Sequence, residues 1–366
     1  MLNEFVQVIG VGQCGCRIGK NFEELGVNTL YINSDEIDFR SFNVDPDTTL
    51  LVEGSGTGGS PIKGEQMFKK YKNDILSFIN QRLDPKKIIW IIWGSGGGTG
   101  NSMGPLLLEH FSKKCKTGCI TTLPPKMLGI LPAENAMKTL KKIKGLDLSM
   151  CILADNEYLI SKIGISNNWW QRVNQHIVAT VTSAFDLLRQ GKITQEGLGS
   201  IDRGEIMRIL QYGQGMTDIR SIYLTPHEFN LDEKDLINKL FEPSLIQGYN
   251  YKNTLAYLVG IDTPEIEESN VAKKRIYTDI SKKIFDVTKK IAGSSISRLG
   301  MSVDPILADT IRITMVNAGL KLPKVLQSKI NNLKRDGERF VEKKTKGETL
   351  DLDDIGESIL NDDFEI

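Results

Sequence analysis

The segment IIWIIWGSGGGTGN, from Ile88 to Asn101, joins an apolar run to a glycine loop. The run Ile88 to Trp93 has the composition of a buried strand, and the following segment, Ser102 to Phe111, predicts a helix capped by Asn101 or Ser102. Backbone N–H groups of such a loop can converge on an anion, and a helix N-terminus adds partial positive charge. The segment therefore predicts a phosphate-binding loop at the end of a strand.

Two further glycine-rich segments lie earlier in the chain. A strand-like run, Phe5 to Ile9, leads into Gly10-Val11-Gly12-Gln13-Cys14-Gly15, which fits the G-x-G-x-x-G pattern of a dinucleotide fold. Asp35 follows the motif by about 20 residues, which is the spacing at which such folds place the acidic residue that binds the ribose. The other segment, GSGTGG, runs from Gly54 to Gly59. One motif alone is typical of a nicotinamide-dependent oxidoreductase, but three loops at neighbouring strand ends suit a triphosphate better, and Asp35 would then border the second loop.

The chain contains no G-x-x-x-x-G-K-[ST] sequence, because Gly19-Lys20 is followed by Asn21. This excludes a P-loop NTPase, and no counterpart of the kinase loop set is present either. Backbone amides must therefore hold the phosphates. The candidate phosphate contacts are Gly12, Gln13, Cys14, Gly15, Gly56, Thr57, Gly58, Gly96, Gly97, Gly98, Thr99, Gly100 and Asn101.

The composition is that of an ordinary globular chain. Its 366 residues are enough for roughly two domains, and 40% are hydrophobic and 25% charged. Lys plus Arg equals Asp plus Glu at 46 each, so no bulk charge indicates direct nucleic-acid binding. The apolar runs are far shorter than the ~20 residues of a membrane span, and the N-terminus does not resemble a signal peptide. We expect a cytoplasmic protein of a bacterial host, without membrane contact.

The five cysteines suggest neither a disulfide framework nor a metal site, since their number is odd and no C-x-x-C pair occurs.

The first half of the chain alternates strand-like runs with amphipathic stretches, which predicts a parallel, doubly wound sheet. The predicted strands of this sheet are Phe5 to Ile9, Thr29 to Ile32, Ile88 to Trp93, either Ile120 to Leu123 or Met127 to Leu131, and Met150 to Leu153.

A long helix, Asn168 to Arg189, is predicted next from apolar residues at helical spacing. They are Trp170, Val173, Ile177, Val181, Ala184 and Leu188. The region from about Ile201 to Leu322 predicts a smaller mixed α/β domain, with strands at Ser221 to Leu224, Thr254 to Ile261 and Thr310 to Val316. We therefore expect four parts: a nucleotide-binding domain (1–167), a central helix (168–190), a second domain (191–322) and a C-terminal segment (323–366).

The net charge of the C-terminal segment changes from positive to negative along its length. Lys324 to Lys346 carries eight basic and three acidic residues with apolar residues at helical spacing, which predicts a basic amphipathic helix. Asp351 to Ile366 has seven acids and no base. The acidic tail is a candidate contact for a neighbouring subunit or for a basic partner, or it is a solvated tail.

Several of these motifs carry a family resemblance. GGGTG at Gly96 to Gly100 resembles the signature of the tubulin/FtsZ superfamily, and GQCG at Gly12 to Gly15 resembles the first nucleotide loop of tubulins. The second-domain signature of FtsZ is similar to Gly300-x-x-x-Asp304-Pro305 with Asp309, Arg312, Thr314 and Gly319-Leu320 further on. The resemblance covers most of the chain and implies a Rossmann-type GTPase domain joined by a long central helix to a smaller mixed α/β domain, with GTP or GDP and Mg²⁺ as its cofactors.

The resemblance also implies a guanine site. Asp155-Asn156-Glu157 resembles the tubulin D-N-E sequence that contacts guanine, and Asn174 and Trp170 lie where the family places an amide and an aromatic ring. An Asn side chain offers a donor and an acceptor, and Trp170 can stack on a base; the alternatives are a turn Asn and a buried helical Trp. Glu134 resembles the carboxylate that binds ribose. Gln13 is a candidate contact to the β-phosphate or to magnesium-bound water.

The segment LGSIDRGE, Leu198 to Glu205, resembles the loop whose two acids reach the nucleotide pocket of the next subunit. The resemblance makes Asp202 and Glu205 catalytic, orienting a water for attack on the γ-phosphate. From the residues alone, an acid followed three positions later by Glu is equally the signature of a helix N-terminal capping box. Ser200 replaces the Asn that FtsZ usually has here, which leaves the geometry of the water open.

Acids that act in the next subunit require a head-to-tail contact, which generates a filament. Within the superfamily, the chain length, the tubulin-like first loop and the C-terminal helix resemble TubZ, the plasmid- and phage-encoded branch that segregates DNA. That branch implies a small DNA-binding adaptor on a centromere-like site as a partner. The alternatives are an FtsZ-like division protein and, from a different class, an NAD-dependent Rossmann oxidoreductase.

Overall fold

The computed structural model describes residues 2–41, 44–187, 201–212, 215–293 and 295–323. These residues form a six-stranded sheet in the first half of the chain and a four-stranded sheet in the second half. In these ranges no helix combines the length and the apolarity needed to cross a membrane. The Leu198 to Ser200 part of the loop before Asp202, the basic amphipathic segment and the acidic tail lie outside the described residues.

The first sheet is entirely parallel, with the order β3-β2-β1-β4-β5-β6. Strand β4 is buried on both faces, as expected for a central strand covered by helices on each side. The chain leaves β1 towards one edge of the sheet and returns to β4 beside it, so the carboxyl ends of β1 and β4 flank the crevice where doubly wound sheets bind ligands. The strands are β1 (Val6–Val11), β2 (Thr29–Asn33), β3 (Thr49–Leu51), β4 (Ile88–Gly94), β5 (Thr117–Leu123) and β6 (Met150–Asp155).

The predicted doubly wound sheet is thus confirmed, with two differences. Of the two alternatives for the fourth predicted strand, Ile120 to Leu123 lies within β5, whereas Met127 to Leu131 is not a strand. A 3-10 turn, Lys126–Leu128, and a helix from Ile130 occupy that segment. Strand β3 was not predicted, because three residues at a sheet edge are too short to show a period.

Helices cover both faces of this sheet. The prediction that Asn101 or Ser102 caps the helix after the GGGTG loop is wrong, because that helix begins at Thr99 and Gly98 is its N-terminal cap without a side-chain bond. Asn101 and Ser102 lie inside its first turns and are buried. The helices are α1 (Gly12–Glu24), α2 (Glu36–Arg40), α3 (Pro61–Lys70), α4 (Lys72–Asn80), α5 (Thr99–Ser112), α6 (Ile130–Ile143) and α7 (Asn156–Ile163).

The predicted long helix is α8 (Trp169–Asp186), while Leu188 and Arg189 of the prediction lie outside the described residues. Val173, Ile177 and Val181 are fully buried in one core that also includes residues of both sheets, so α8 joins the two halves of the molecule. Trp170 departs from the predicted apolar stripe, since it is only partly buried and faces a pocket.

The second sheet is mixed, with the order β7-β10-β8-β9. Strand β10 is antiparallel to β7 and to β8, and β8 is parallel to β9. Three of its strands were predicted and β9 was not. The elements are α9 (Arg203–Gln211), β7 (Met216–Leu224), α10 (Glu233–Leu240), β8 (Ala256–Thr263), α11 (Val271–Ala292), β9 (Ile296–Val303) and β10 (Ile311–Leu320).

Candidate nucleotide-binding site

A pocket with a volume of about 650 Å³ opens at the carboxyl ends of the parallel strands. It lies at the crevice between β1 and β4, and all three predicted glycine loops contribute to its wall. Most of the residues predicted from the sequence line it: Gly12, Gln13, Cys14, Gly56, Thr57, Gly58, Gly96, Gly97, Gly98, Thr99, Gly100, Asn156, Trp170 and Asn174.

Three hydroxyl groups join the loops at the floor of the pocket. The Ser34 Oγ and Thr99 Oγ1 atoms lie 2.6 Å apart, and the Thr57 and Thr99 hydroxyls lie 3.4 Å apart. Ser34 follows β2, Thr57 belongs to the GSGTGG loop and Thr99 begins α5. The chain of hydroxyls therefore fixes three strand ends relative to one another, and two of its members also line the pocket.

Several of the glycines lie too close to neighbouring backbone for a side chain, and Gly98 and Gly15 are the clearest cases. A Cβ atom at Gly98 would overlap the Thr57 hydroxyl and lie 2.8 Å from the backbone nitrogen of Ser60. A Cβ atom at Gly15 would overlap the carbonyl oxygen of Ile92 in β4. Gly15 does not line the pocket, and its close approach to Ile92 allows α1 to pack on β4, so a phosphate contact at Gly15 stays a prediction.

The first turn of α1 supplies polar groups to one wall. Gln13 Nε2 donates a hydrogen bond of 2.5 Å to Asp38 Oδ1, and the Cys14 Sγ atom lies 3.3 Å from Thr122 Oγ1. Burial raises the pKa of the Cys14 thiol, so the group is neutral at physiological pH and adds no negative charge beside a phosphate. One turn further along α1, Arg17 is the single basic side chain among the described residues that line the pocket.

Two carboxylates face the same pocket. Asp35 borders the GSGTGG loop as expected, because it forms a backbone bridge with Ser55, and its side chain caps α2 by accepting from the Ile37 amide. Asp38 accepts hydrogen bonds from Gln13 and from Asn33 Nδ2, the latter at 2.8 Å. Sequence reasoning missed Asp38, Asn33 and Arg17, since no glycine motif contains them.

The far end of the pocket has the character of a base site. Asn156 is 4% exposed, and its Oδ1 atom has no hydrogen-bond partner among the described residues. Asn174 is also buried, and Trp170 stacks on Trp169 with ring centroids 3.5 Å apart. A buried acceptor that lacks a donor is costly unless a ligand supplies one, and the N1–H and 2-amino groups of guanine are such donors.

Two predicted contacts do not reach the pocket. Asn101 is 2% exposed and its Oδ1 atom accepts a hydrogen bond from Thr139, so it joins α5 to α6. Glu134 is exposed and does not line the cavity, and its assignment as a ribose ligand stays a prediction. Its neighbour Asn135 is fully buried and donates hydrogen bonds to two of the glycine loops.

The two predicted catalytic acids lie at the start of α9 and not in this pocket. Asp202 caps the helix by accepting from the Glu205 amide, and Glu205 accepts from the Asp202 amide, each at 2.9 Å. A second oxygen of Glu205 lies 2.5 Å from Arg298 Nε. Within one subunit the pair is therefore a capping box, which is the alternative that the residues themselves allowed; a role in the neighbouring pocket stays a prediction.

A doubly wound parallel sheet with glycine loops at its switch point and amide side chains beyond them defines a nucleotide-binding α/β protein. Residues 6–164 match the model of the Tubulin/FtsZ family, GTPase domain. This match covers less than half of the chain and shows that residues 6–164 are similar to the GTPase domain of that family, while the two sheets together have the tubulin/FtsZ fold. The match to a GTPase domain disfavours the nicotinamide alternative.

The chain is similar along most of its length to several tubulin-like proteins. It is 24% identical to the tubulin-like protein CetZ of Pyrococcus furiosus, with 93% of this chain and 92% of the relative covered. It is 23% identical to cell division protein FtsZ 1 of Pyrococcus horikoshii, covering 86% and 81%. The GTPγS-form protofilament of TubZ from Bacillus thuringiensis serovar israelensis has a TM-score of 0.76 at 17% identity, covering 93% and 92%. The likeness to the TubZ structure shows the fold alone, and the relatives in sequence named here are CetZ and FtsZ proteins, so the assignment to the TubZ branch stays a prediction.

Proposed function

We propose that this protein is a GTPase that assembles head to tail into filaments and completes its active site at the contact between subunits. The observation that carries the proposal is the pocket lined both by three glycine loops and by Asn156, whose Oδ1 atom has no hydrogen-bond partner among the described residues. The loops offer backbone amides to a triphosphate, and Asn156 offers an acceptor to guanine. Asn174 adds a second amide, and Trp170 an aromatic face.

The donor set of the pocket also fits Mg²⁺. Magnesium in nucleotide sites is bound by one or two carboxylates together with phosphate oxygens and waters. Asp35 and Asp38 supply the carboxylates, and the amides of Gln13 and Asn33 hold the Asp38 side chain in place. Bound Mg²⁺ would neutralise charge on the phosphates, and these two residues would hold it.

Asp202 and Glu205 are the proposed catalytic residues of the adjacent subunit. Asp202 is exposed at the N-terminus of α9, so a neighbouring molecule can approach it. Asp202 would accept the proton of the attacking water, and Glu205 would orient that water, while the glycine-loop amides stabilise charge on the γ-phosphate. Because such a contact joins different surfaces of the two subunits, it does not close and produces a filament. The TubZ neighbour is itself a protofilament, which supports this arrangement.

Right-angle light scattering tests the assembly. Adding GTP and Mg²⁺ to micromolar protein should raise the scattering, and the signal should decay as GTP is consumed. Electron micrographs of the same sample should contain filaments. A flat scattering trace together with enhanced NADH fluorescence would support the oxidoreductase alternative and end the filament proposal.

Mixing two inactive variants tests whether the active site is shared. Asp202→Asn leaves the pocket intact, and Asn174→Ala weakens the pocket but leaves the acidic pair intact. In a shared site, the pocket of the first variant receives Asp202 from the second, so the mixture should hydrolyse GTP faster than the sum of the separate variants. Turnover equal to that sum would place the acids in their own subunit's reaction and contradict the proposal.

Two cellular roles are consistent with such a filament. The motifs that resemble TubZ imply segregation of plasmid or phage DNA through a small DNA-binding adaptor, and the relative named as cell division protein FtsZ 1 favours a role in cell division. Expressing the hydrolysis-deficient Asp202→Asn variant in the natural host separates them. Loss of the replicon that carries the gene would support segregation, whereas elongated undivided cells would support division.

A further inference from the structure

Asn135 lies on α6 behind the glycine loops and is fully buried. Its Nδ2 atom donates to the carbonyl oxygen of Gly59 at 3.2 Å and to that of Gly96 at 3.0 Å. Gly59 and Gly96 line the pocket, while Asn135 does not. We propose that Asn135 is a positioning residue that joins the second and third glycine loops and thereby holds the amide cradle in its triphosphate-binding form.

The chemistry of the position requires a primary amide. One nitrogen must donate two hydrogen bonds in different directions, which neither a carboxylate nor an aliphatic side chain can do. The Oδ1 atom of Asn135 is buried and has no partner among the described residues, and such an atom lowers stability. An apolar residue would suit the core at this point better, so the amide serves the loops and not the packing of α6.

The bond to Gly96 also determines where the next amide points. In a trans peptide the C=O and N–H groups point in opposite directions. Because the Gly96 carbonyl is directed back to Asn135, the Gly97 N–H is directed away from it, towards the side on which Gly97 lines the pocket. In a pocket with one basic side chain in its described lining, correctly directed amides replace the lysine of other phosphate sites.

Asn135 is therefore distinct from the hydroxyl chain of Ser34, Thr57 and Thr99. Those hydroxyls join the loops at the floor of the pocket, and two of them touch its interior. Asn135 does not line the pocket and donates its hydrogen bonds to the carbonyl groups of Gly59 and Gly96. Its loss should weaken binding of the phosphates without changing the base site formed by Asn156 and Asn174.

The test rests on the proposed function, since it uses guanine nucleotides. Affinities of the full-length Asn135→Ala and Asn135→Ser variants for GTP, GDP and GMP are measured by isothermal titration calorimetry, together with their melting temperatures. Loss of two hydrogen bonds should weaken GTP binding about tenfold, while GMP binding changes less than about twofold. Asn135→Ser keeps one donor and should give an intermediate loss of GTP affinity.

Thr139→Val is the matched control. Thr139 lies one turn further along α6, is fully buried, and donates its hydrogen bond to Asn101 and not to a loop. This variant should keep the wild-type ratio of GTP to GMP affinity. Equal loss of all three nucleotides in Asn135→Ala, or unchanged GTP affinity in it, would overturn the inference. Failure of the wild-type protein to bind any guanine nucleotide would instead overturn the proposed function.

Discussion

The nucleotide pocket and the acidic start of α9 differ in how much of each site one subunit completes. Three glycine loops contribute backbone to the wall of the pocket, and Thr57, Thr99 and Asn135 already hold these loops together. Asp202 and Glu205 are side chains whose oxygens are engaged in a capping box and an ion pair within their own subunit. A site built from backbone can be recognised in a single chain, whereas a site shared between subunits looks structural until the second subunit is present.

The largest effect is expected at the most crowded glycine of the pocket. Gly98→Val should abolish GTP binding, because its side chain would displace the Thr57 hydroxyl and the backbone at Gly59 and Ser60. The expected loss exceeds about a thousandfold, since overpacking costs roughly 1–3 kcal/mol and the misplaced loops lose several amide contacts as well. Equilibrium binding of a fluorescent GTP analogue measures it.

Gly97→Ala is the control for the Gly98 variant. No atom of the described residues lies within 4 Å of a Cβ at Gly97, so the apoprotein should keep its melting temperature. If Gly98→Val bound GTP as tightly as Gly97→Ala, the loops would not be held against each other as described, and the contrast between the pocket and the acidic pair would disappear.

The glycine loops of the pocket could be predicted from composition, whereas Asn156, Trp170 and Asn174 could be predicted only from the family resemblance. Loops such as Gly96 to Gly100 are visible because their composition has few explanations other than close backbone approach. Asn135 and Arg17 are ordinary polar residues on helices, and only burial and the direction of the helix reveal their place. Glu134 is predicted as a ribose ligand because it resembles a carboxylate of the family, yet it is exposed, and the buried Asn135 is the next residue along α6.

The next largest effect, on GTP turnover, separates the capping role of Asp202 and Glu205 from their proposed catalytic role. Asn is as good an N-cap as Asp, and Gln can replace Glu in a capping box, so Asp202→Asn and Glu205→Gln preserve the helix start and remove a charge. Turnover should fall about 10²- to 10⁴-fold in each, the range for loss of a general base, while GTP affinity stays within about twofold. Steady-state phosphate release and nucleotide binding are the two measurements.

Asp202→Ala provides the matching structural control, because it removes both the cap and the charge. It should cost about 1 kcal/mol of stability in urea unfolding, whereas Asp202→Asn should cost almost none. A variant Asp202→Asn with wild-type turnover would mean that the residue is only a cap, and the two regions would then not cooperate in hydrolysis.

A smaller effect is expected at the base end of the pocket. If Asn156 Oδ1 accepts from the 2-amino group of guanine, wild-type protein should bind GTP about tenfold more tightly than ITP, which lacks that group. Asn156→Ala should bind both nucleotides with similar, weaker affinity. Equal binding of GTP and ITP by the wild type would assign the Asn156 oxygen to another donor.

The second sheet illustrates a different reason for missing an element. In β9 the buried positions include Gly300 and Ser302, while Ile296 is 43% exposed, so the usual alternation of apolar and polar residues is absent. This strand lies at the edge of its sheet and its register is fixed by pairing with β8. Since that pairing is long-range, no local pattern in the chain could indicate it. Arg298, on the same strand, was overlooked with it.

The smallest effect concerns the contact between Arg298 and Glu205, which the missed strand creates. Both side chains are partly exposed, at 38% and 24%, so the ion pair contributes at most about 1 kcal/mol to stability. Arg298→Gln should leave the capping box intact, because Glu205 still accepts from the Asp202 amide. Without the ion pair to Arg298, the Glu205 carboxylate is available to bind a water in the neighbouring pocket. Turnover per filament subunit should then rise by no more than about fivefold. Phosphate release at saturating GTP, divided by the polymer mass from sedimentation, measures this. A tenfold decrease would instead mean that Arg298 holds Glu205 in its working position, and the acidic pair would then be as fully prepared within one subunit as the pocket is.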